Sequence, residues 1–381
     1  MPNRFGFYEF FAGGGMARLG LGSRWSCLAA NDVDAQKAAA YAANFTASRK
    51  HLIVRDVAQV RTCDLPPGGI LSWASFPCQD LSLAGNYHGI RAERSGVFWP
   101  FWELMLGLKA EGRQVPLVVI ENVAGLLTSK GGRDFRDLLA TVTSAGYRAG
   151  GLVIDAAHFL PQSRPRLFVI CVRDDVSVPP SLLADGPMPL WHTRSMVQSG
   201  LSWPKELCAK WLWWKLPVPD GHSLTLADVL EDEPTSVEWH NKAETERVLG
   251  MMSEVNREKV RQAQKAKRRI VGAIYKRTRQ SVQRAEVRFD GMSGCLRTPA
   301  GGSSRQTIIV VEGRKVRTRL ISPREVARLM GVPDTYKLPK RYNEAYKLMG
   351  DGLAVPAVTW LEKHILFPLV KSLQPEAVEV A

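Results

Sequence analysis

Two residues have side chains suited to nucleophilic and acid–base chemistry, and each stands at the end of an apolar run. Cys78 lies in SWASFPCQDLSLAG (72–85), directly after a segment that is typical of a buried strand. A thiol with a pKa of about 8.5 is only slightly ionised at neutral pH, but its thiolate is strongly nucleophilic. Glu121 follows the apolar residues PLVVI within PLVVIENV (116–123). A carboxyl group whose pKa is raised by burial can deliver a proton. The two segments predict a nucleophile with a companion acid.

Two arginines follow in FLPQSRPRLFVI (159–170), where Arg164 and Arg166 stand at the start of a further strand. The carboxyl edge of a parallel sheet is where such folds bind ligands, so Cys78 and Glu121 are expected at one crevice. Each residue also has a structural interpretation when it is taken alone. Cys78 then fills space, Glu121 caps a helix or lies on the surface, and the arginines are surface charge.

A glycine cluster lies in FFAGGGMARLGLG (10–22), between a strand segment and a helical one. Such glycines let the backbone approach a ligand closely, although a tight turn is the alternative. The segment is not a P-loop, and Arg18 stands where the last glycine of G-x-G-x-x-G would be. Asp32 ends a second strand, where a carboxylate can accept ribose hydroxyls, and Asp56 ends a third. Glycines and carboxylates without a phosphate cradle favour a nucleoside such as S-adenosylmethionine.

The elements that must position these residues alternate between strands and helices over residues 1–175. Strands are predicted at FGFYEFF, SCLAAND, HLIVRDV, GILSWASF, PLVVIENV, YRAGGLVIDAAHF and PRLFVICVRDD. Helical segments such as MARLGLG and DAQKAAAYAANF lie between them. Apolar strands separated by helices indicate a parallel sheet that is covered on both faces. The sequence therefore predicts an α/β fold with a doubly wound, mostly parallel, Rossmann-like sheet.

The composition of the chain changes after residue 186. Residues 187–245 hold six of the eleven tryptophans with little periodicity, and a basic stretch follows. Regular patterning returns in SPREVARLMG, where Ser322, Pro323 and Glu325 predict a helix start with a capping box. We predict three parts: a catalytic domain over 1–186, an inserted smaller domain over 187–320, and C-terminal helices over 321–381 that pack back on the first domain.

Composition argues against several classes of protein. Among the 381 residues there is no run of 18 apolar residues, and MPNRFGFYEF does not have the pattern of a signal peptide, so a cytosolic protein is expected. The six cysteines are scattered without a C-x-x-C pair, and the seven histidines show no ligand spacing. Neither a disulfide framework nor a metal site is expected.

The positive charge is concentrated in one part of the chain. The formal net charge is +14, and residues 251–320 hold 18 Lys and Arg against five Asp and Glu, a net of +13. An excess spread over such a length favours a surface for a polyanion, with nucleic acid as the leading candidate. A basic membrane-surface helix fits less well, because the segment has few large apolar residues. KAKRR (265–269) alone also fits a solvated helix face.

Six segments together resemble the bacterial DNA (cytosine-5)-methyltransferase family, in order and approximate spacing, over nearly the whole chain. They are F-x-G-G-G (11–15), Pro-Cys-Gln (77–79), Glu-Asn-Val (121–123), Gln-x-Arg-x-Arg (162–166), REVARLMGVPD (324–334) and LMGDGLAVP (348–356). The resemblance implies methylation of C5 of a flipped-out cytosine in a specific duplex DNA sequence, with S-adenosylmethionine as donor. The insertion then becomes a target-recognition domain.

The same resemblance assigns the catalytic roles. Cys78 attacks C6 of the cytosine to form a covalent intermediate, and Glu121 holds the N3 and amino edge and protonates N3. Arg166 contacts O2, and Arg164 supports the region of the thiol. C5 is a poor nucleophile until addition at C6 makes it enamine-like, so methylation of this carbon needs a thiolate, whereas methylation of an amino group does not.

Two binding sets also follow from the resemblance. The cofactor is expected at Phe11, Gly13, Gly15, Asp32, Val33, Asp56, Val57, Pro77 and Asp351. DNA is expected at Gln79, Lys265, Lys267, Arg268, Arg269, Arg305 and Gln306. For Arg305, two roles stay open: a bidentate hydrogen bond to a guanine base and a contact with a phosphate. The chain departs from the family pattern at Met16, where another glycine is common, and at Asp351, where asparagine is usual.

Two other functions stay open. An RNA cytosine-5 methyltransferase is the first, but the eukaryotic tRNA-specific relative with these motifs carries a Cys-Phe-Thr signature that this sequence lacks. A DNA-binding protein without catalysis is the second, and the intact Cys78, Glu121 and Arg166 argue against it. The expected protein is a monomer in the bacterial cytoplasm, held at the nucleoid through double-stranded DNA. A cognate restriction endonuclease, acting separately, is a companion that the resemblance allows.

Overall fold

The computed structural model describes residues 4–77, 96–279, 282–296 and 305–373. The chain forms two compact units. The first contains Met1–Ile154, Pro165–Val218 and Ala357–Ala381, and the second contains Asp155–Arg164 and Pro219–Pro356.

A seven-stranded sheet forms the centre of the first unit. Its strands are β1 (Phe5–Phe10), β2 (Trp25–Asp32), β3 (Leu52–Val54), β4 (Gly69–Ala74), β5 (Leu117–Val123), β6 (Tyr147–Asp155) and β7 (Pro165–Arg173). They lie in the order β3-β2-β1-β4-β5-β7-β6. The pairs β1–β2, β2–β3, β1–β4 and β4–β5 are parallel, whereas β5 and β7 are antiparallel. The predicted α/β class with a mostly parallel sheet is confirmed.

Helices follow the strands because apolar residues on each strand must be covered. The helices of this part are α1 (Met16–Leu21), α2 (Ala35–Asn44), α3 (Phe98–Ala110), α4 (Arg133–Ser144), α5 (Arg194–Gly200) and α6 (Lys205–Ala209). Aromatic side chains of α3 are buried against the sheet, and the rings of Phe101 and Phe10 lie 5.1 Å apart. This packing fixes the carboxyl end of β1, from which the glycine cluster continues.

The second unit is built on a four-stranded antiparallel sheet. Its strands are β8 (Arg269–Arg279), β9 (Val282–Arg288), β10 (Thr307–Glu312) and β11 (Lys315–Leu320), in the order β11-β10-β8-β9. Its helices are α7 (Leu226–Val229), α8 (Lys242–Gly250), α9 (Glu254–Lys265), α10 (Pro323–Leu329) and α11 (Tyr342–Asp351). Val248 of α8 and Val260 of α9 join Ile274 and Ile309 in a buried apolar cluster that holds these helices on the sheet.

The helix start predicted at Ser322 is confirmed. The Ser322 hydroxyl accepts a hydrogen bond from the backbone N–H of Glu325, and the Glu325 carboxylate accepts one from the backbone N–H of Ser322. The C-terminal part continues as α12 (Val355–Leu361) and α13 (Phe367–Leu373). One helical segment, Tyr342–Leu373, is long and apolar enough to cross a membrane by length and composition, but more than half of its most apolar window is buried inside the protein.

The two compact units divide the chain at other points than residues 186 and 320. Residues 187–218 belong to the first unit, where Trp191 and Trp214 are fully buried. Residues 321–356, with α10 and α11, belong to the second unit. The assignment of residues 187–320 as a target-recognition domain stays a prediction.

Candidate active site

The glycine cluster forms a loop of unusual backbone conformation between β1 and α1. Phe11, Gly13 and Gly15 have φ angles of 57°, 54° and 77°. Positive φ is rare for a residue with a side chain, so Phe11 marks a strained position of the kind found at functional sites. A Cβ on Gly15 would lie 2.3 Å from the ring of Phe45, whereas a Cβ on Gly13 would meet no atom within 4 Å. The loop is therefore packed on one side and open at Gly13.

Two polar side chains at the end of β2 hold this loop and the neighbouring strand ends together. Asp32, at the end of β2, accepts hydrogen bonds from the backbone N–H groups of Gly13 (2.7 Å) and Asp34 (2.8 Å). Asn31 donates its amide N–H groups to the carbonyls of Ile53 and Arg55, which ties the chain after β3 to the end of β2. The carboxyl ends of β1, β2 and β3 are thus fixed to one another.

The predicted cofactor residues differ in exposure. Val33 is 67% exposed although it is apolar, and Asp56 is exposed and accepts a hydrogen bond from the backbone N–H of Ala58 (2.9 Å). Val57 is buried in the core of the first unit, so its side chain serves packing. Two carboxylates, an exposed apolar side chain and open space at Gly13 fit a nucleoside with a positive charge. Asp351 belongs to the second unit, at the end of α11, with Lys347 Nζ 4.0 Å from its carboxylate.

The chain beyond β4 leads to the predicted nucleophile. Asn122, at the end of β5, donates a hydrogen bond from Nδ2 to the carbonyl of Phe76 (3.1 Å). The ring of Phe76 lies 6.2 Å from the ring of Phe11, so this chain also contacts the glycine loop. Pro77 is exposed and is the last residue described before the gap. Cys78 and Gln79 lie outside the described residues.

Glu121 and Arg166 form an ion pair at this edge of the sheet. Arg166 Nε lies 3.4 Å from Glu121 Oε1, and the two side chains are only 15% and 9% exposed. The antiparallel register pairs Val123 with Arg166 and Glu121 with Phe168, which puts both charged residues on one face of neighbouring strands. An acid and a guanidinium are therefore held together beside the strand that continues to Cys78.

Arg164 belongs to the second unit and is bound to backbone carbonyl groups there. It is 2% exposed, and its guanidinium donates to the carbonyls of Leu296 (3.1 Å), Gly350 (2.8 Å) and Gly352 (2.7 Å). Its backbone N–H donates to Asp155. These contacts make Arg164 an anchor of backbone segments, and its support of the thiol region stays a prediction.

The predicted DNA-binding residues of the second unit fall into three groups. Lys265, Lys267, Arg268 and Arg269 are all exposed, and Arg269 also lies 3.6 Å from the Asp232 carboxylate and 3.9 Å from that of Glu312. Arg305 is half-buried, with its guanidinium 5.3 Å from the ring of Tyr342. Gln306 is buried and accepts a hydrogen bond from Ser293, so its side chain does not reach the surface here.

Two residues of the site were missed by sequence reasoning. Asn122 positions the chain before Cys78, and its place directly after Glu121 was the available signal. Glu9 is 1% exposed in β1, and burial raises the pKa of its carboxyl group to about 8. A single acid within the aromatic strand FGFYEF was the signal for Glu9. The described residues contain no group of three His, Cys, Asp or Glu side chains that could hold a metal ion.

Comparison with known proteins agrees with this geometry. The model of the family described as C-5 cytosine-specific DNA methylase matches residues 5–366. The Type II methyltransferase M.BsuFI of Bacillus subtilis is 25% identical over 354 residues, which cover 92% of this chain and 70% of that protein. M.NlaX of Neisseria lactamica, also a Type II methyltransferase, is 25% identical over 365 residues, covering 93% of this chain and 94% of that protein.

A solved structure shares the fold. The crystal structure of the S. pombe Dnmt2 methyltransferase aligns with a TM-score of 0.59 at 17% identity, and the alignment covers 97% of this chain and all of that one. The family match includes the glycine loop, the strand that leads to Cys78 and the strands that carry Glu121 and Arg166. With nearly its whole length matched, the chain belongs to the C-5 cytosine-specific DNA methylase family.

Proposed function

We propose that this enzyme, a DNA (cytosine-5-)-methyltransferase by its family, methylates a cytosine that is flipped out of a specific duplex DNA sequence, through a covalent bond between Cys78 Sγ and C6. The family implies S-adenosylmethionine as the methyl donor. The observation that carries the proposal is the buried pair of Glu121 and Arg166 beside the chain that leads to Cys78. A carboxyl group and a guanidinium at that distance match the N3 and O2 atoms on one edge of cytosine.

The chemistry follows from the side chains. The Cys78 thiolate adds to C6 and forms the S–C6 bond, while Glu121 gives a proton to N3, so that C5 becomes an enamine carbon and takes the methyl group. A base then removes the C5 proton, the S–C6 bond breaks, and N3 returns its proton to Glu121. Arg166 holds O2 and keeps the Glu121 carboxyl group oriented.

The glycine loop and the strand ends are suited to hold the donor. When bound, S-adenosylmethionine supplies an electrophilic methyl group. Asp32 is proposed to accept the ribose hydroxyls and Asp56 an adenine N–H, with Val33 and Phe11 against the base. The strained Phe11 and the open space at Gly13 support this arrangement. Pro77 and Asp351 complete the proposed cofactor set, and S-adenosylhomocysteine is the expected product.

Covalent trapping tests the nucleophile. Duplex DNA with 5-fluorocytosine at the target should form a stable adduct, because fluorine cannot leave C5 as a proton does. Cys78→Ala should abolish the adduct and leave cofactor binding largely intact. Cys63→Ala, which removes an exposed thiol of the same unit, is the matched control and should trap DNA normally. An adduct that persists in Cys78→Ala would assign the nucleophile to another residue.

The substrate is tested by methyl transfer. Labelled methyl groups should pass to duplex DNA and not to tRNA, and sequencing of the methylated DNA should reveal one recognition sequence. Methyl transfer to tRNA alone would identify the protein as an RNA cytosine-5 methyltransferase. Binding of DNA without methyl transfer would identify it as a DNA-binding protein without catalysis. The curated relatives are named Type II methyltransferases. We propose the same class for this enzyme, acting as a monomer in the cytoplasm. A cognate endonuclease would make it part of a restriction–modification system, and the absence of one would make it an orphan methyltransferase.

A further inference from the structure

Glu9 is an acid with half of its carboxylate unsatisfied in the interior of the first unit. It stands in β1, two residues before the strained Phe11, and its partners in the sheet register are Ala30 and Trp73. Oε1 accepts a hydrogen bond from the backbone N–H of Arg18 (3.3 Å). Within the described residues, the buried Oε2 atom has no hydrogen-bond partner. An ionised carboxylate placed this way is costly, so the group favours its neutral form.

The guanidinium of Arg18 is bound by groups other than Glu9. The Arg18 guanidinium donates to the Tyr41 hydroxyl (2.8 Å), lies 2.9 Å from His51 Nε2, and stacks 4.2 Å from the ring centre of Phe45. Its positive charge is therefore shared with aromatic and neutral groups rather than paired with the carboxyl group. Asp32, which holds Gly13 of the cofactor loop, adds a repulsive negative charge.

The remaining titratable groups of this cluster are neutral near pH 7. Burial raises the pKa of the Cys27 thiol to about 12 and raises that of Tyr41 as well. Burial and the charge of Arg18 lower the pKa of His51 to about 4. Burial raises the pKa of Glu9 to about 8, with Arg18 lowering it and Asp32 raising it further. At neutral pH the fixed charges are then the cation of Arg18 and the anion of Asp32.

We propose that Glu9 is protonated in the cofactor-free enzyme and releases its proton to solvent when a cationic methyl donor binds at Gly13 and Asp32. This rests on the proposed function, which brings S-adenosylmethionine to that loop. A sulfonium ion adds one positive charge beside Asp32 and so favours an ionised Glu9. The product has a neutral sulfur atom and leaves Glu9 protonated. The site thereby distinguishes donor from product by charge, and Glu9 acts as a specificity-determining residue that need not touch the reacting atoms.

Proton linkage gives a signature that a purely structural glutamate lacks. Calorimetric titration in buffers of different ionisation enthalpy counts the protons that are released on binding. For a group with a pKa of about 8, the wild type should release up to about 0.9 proton at pH 7 with S-adenosylmethionine. The product should release none from this group. The contribution of Glu9 to donor affinity should rise with pH until about pH 8, and product affinity should contain no such contribution.

Two variants sharpen the test. Glu9→Gln should abolish the excess proton release and lower the preference for donor over product by roughly tenfold or more, the usual scale for an opposite charge in a buried site. Glu103→Gln makes the same chemical change at an exposed position of α3 and should behave like the wild type. The sulfonium charge lowers the pKa of the donor's own amino group below that of the product's, so the titration of each free ligand is measured separately and subtracted. Comparison of the wild type with Glu9→Gln for the same ligand removes any remaining contribution of the amino group.

The outcomes separate this inference from the proposed function. After the titration of each free ligand is subtracted, equal proton release with donor and product in the wild type overturns the role of Glu9, and this measurement requires no variant. Unchanged release in a folded Glu9→Gln overturns it as well. A wild type that binds neither S-adenosylmethionine nor its product would instead contradict the proposed function.

Discussion

At the scale of single residues, the roles of Glu121 and Arg166 depend on their shared burial. Neither side chain is more than 15% exposed, and each limits the other's freedom to turn toward solvent. A partly dehydrated carboxyl group beside a guanidinium can bind the planar N3–C2=O2 edge of cytosine with two hydrogen bonds, one at N3 and one at O2. Proton delivery to N3 additionally needs the acid form of Glu121.

Substitution of Glu121 by glutamine should separate binding from proton transfer. Glutamine keeps the shape and an acceptor for Arg166 but has no proton to transfer, so kcat should fall by roughly 10²-fold or more. Cofactor affinity, measured by calorimetry, should change little. Glu103→Gln on the exposed face of α3 is the matched control. Turnover of Glu121→Gln at the level of the wild type would make the carboxyl group structural.

Sequence patterns predicted the roles of residues at strand ends. They did not predict the roles of a residue inside the sheet, such as Glu9, or of one bound to distant backbone carbonyl groups, such as Arg164. Asp32 and Glu121 could be placed because each ends an apolar run, and parallel strands bring such ends to one edge. The raised pKa of Glu9 results first from burial, with Arg18 lowering the pKa and Asp32 raising it, and only the fold brings these groups together. The contacts of Arg164 with Gly350 and Gly352 join residues more than 180 positions apart, and no local pattern encodes them.

At the scale of elements, α10 shows how a local pattern and a distant partner combine. The capping box of Ser322 and Glu325 was readable from the sequence. Arg319, at the end of β11, adds two hydrogen bonds to the Glu325 carboxylate, at 2.8 Å and 2.5 Å, in a place where both side chains are at most 1% exposed. The buried cation thus joins the last strand of the second unit to the helix that follows it.

Removal of this cation should destabilise the second unit. Arg319→Met leaves the Glu325 carboxylate buried without its charge partner, which costs about 3–5 kcal/mol in comparable cases. Arg317→Met is the matched control, because Arg317 lies on the same strand and also stacks on Trp239 but is 35% exposed. Thermal unfolding should show a large loss for Arg319→Met and a small one for Arg317→Met. Equal melting temperatures would show that the buried pair contributes no net stability.

At the scale of the whole molecule, most of the positive charge belongs to the second unit. Its strands carry basic residues on exposed positions, yet several have acidic neighbours that reduce the charge available to a polyanion. Arg269 is the clearest example, with Asp232 and Glu312 within 4.0 Å. Formal charge counted along the sequence therefore overstates the number of cations that a DNA phosphate would meet.

Salt dependence of DNA binding should reveal which residues of KAKRR contact phosphates. Substitution of Lys265, Lys267 and Arg268 by serine should weaken specific and non-specific duplex binding by similar factors. It should also flatten the plot of log K against log salt by up to about 0.9 per contact that is lost. Arg269→Ser added to this variant should change the slope little, because its charge is already balanced. A slope that falls only when Arg269 is removed would reverse this assignment, and an unchanged slope in both variants would make the segment a solvated helix face.

Domain organisation was the least predictable feature at this scale. The change of composition after residue 186 is real, but residues 187–218 pack with the first unit through buried side chains such as Trp191 and Trp214. Amino-acid composition describes a segment by itself, whereas the division of the chain into compact units depends on contacts between residues far apart in the sequence. The location of the sheet, the glycine loop and the strand-end acids followed from local patterns.

Because β5 and β7 pair in antiparallel register, the contact between Glu121 and Arg166 depends on whether a register shift is by an odd or an even number of residues. Side chains alternate between the two faces of a strand, so a shift of β7 by one residue would move Arg166 to the opposite face, away from Glu121. A shift by two would restore the face but displace the guanidinium by about 6.6 Å along the strand. Insertions and deletions should therefore be tolerated in loops such as 174–190 but not between Arg166 and Val172. In libraries of length variants, we expect surviving methyltransferases to keep this interval unchanged.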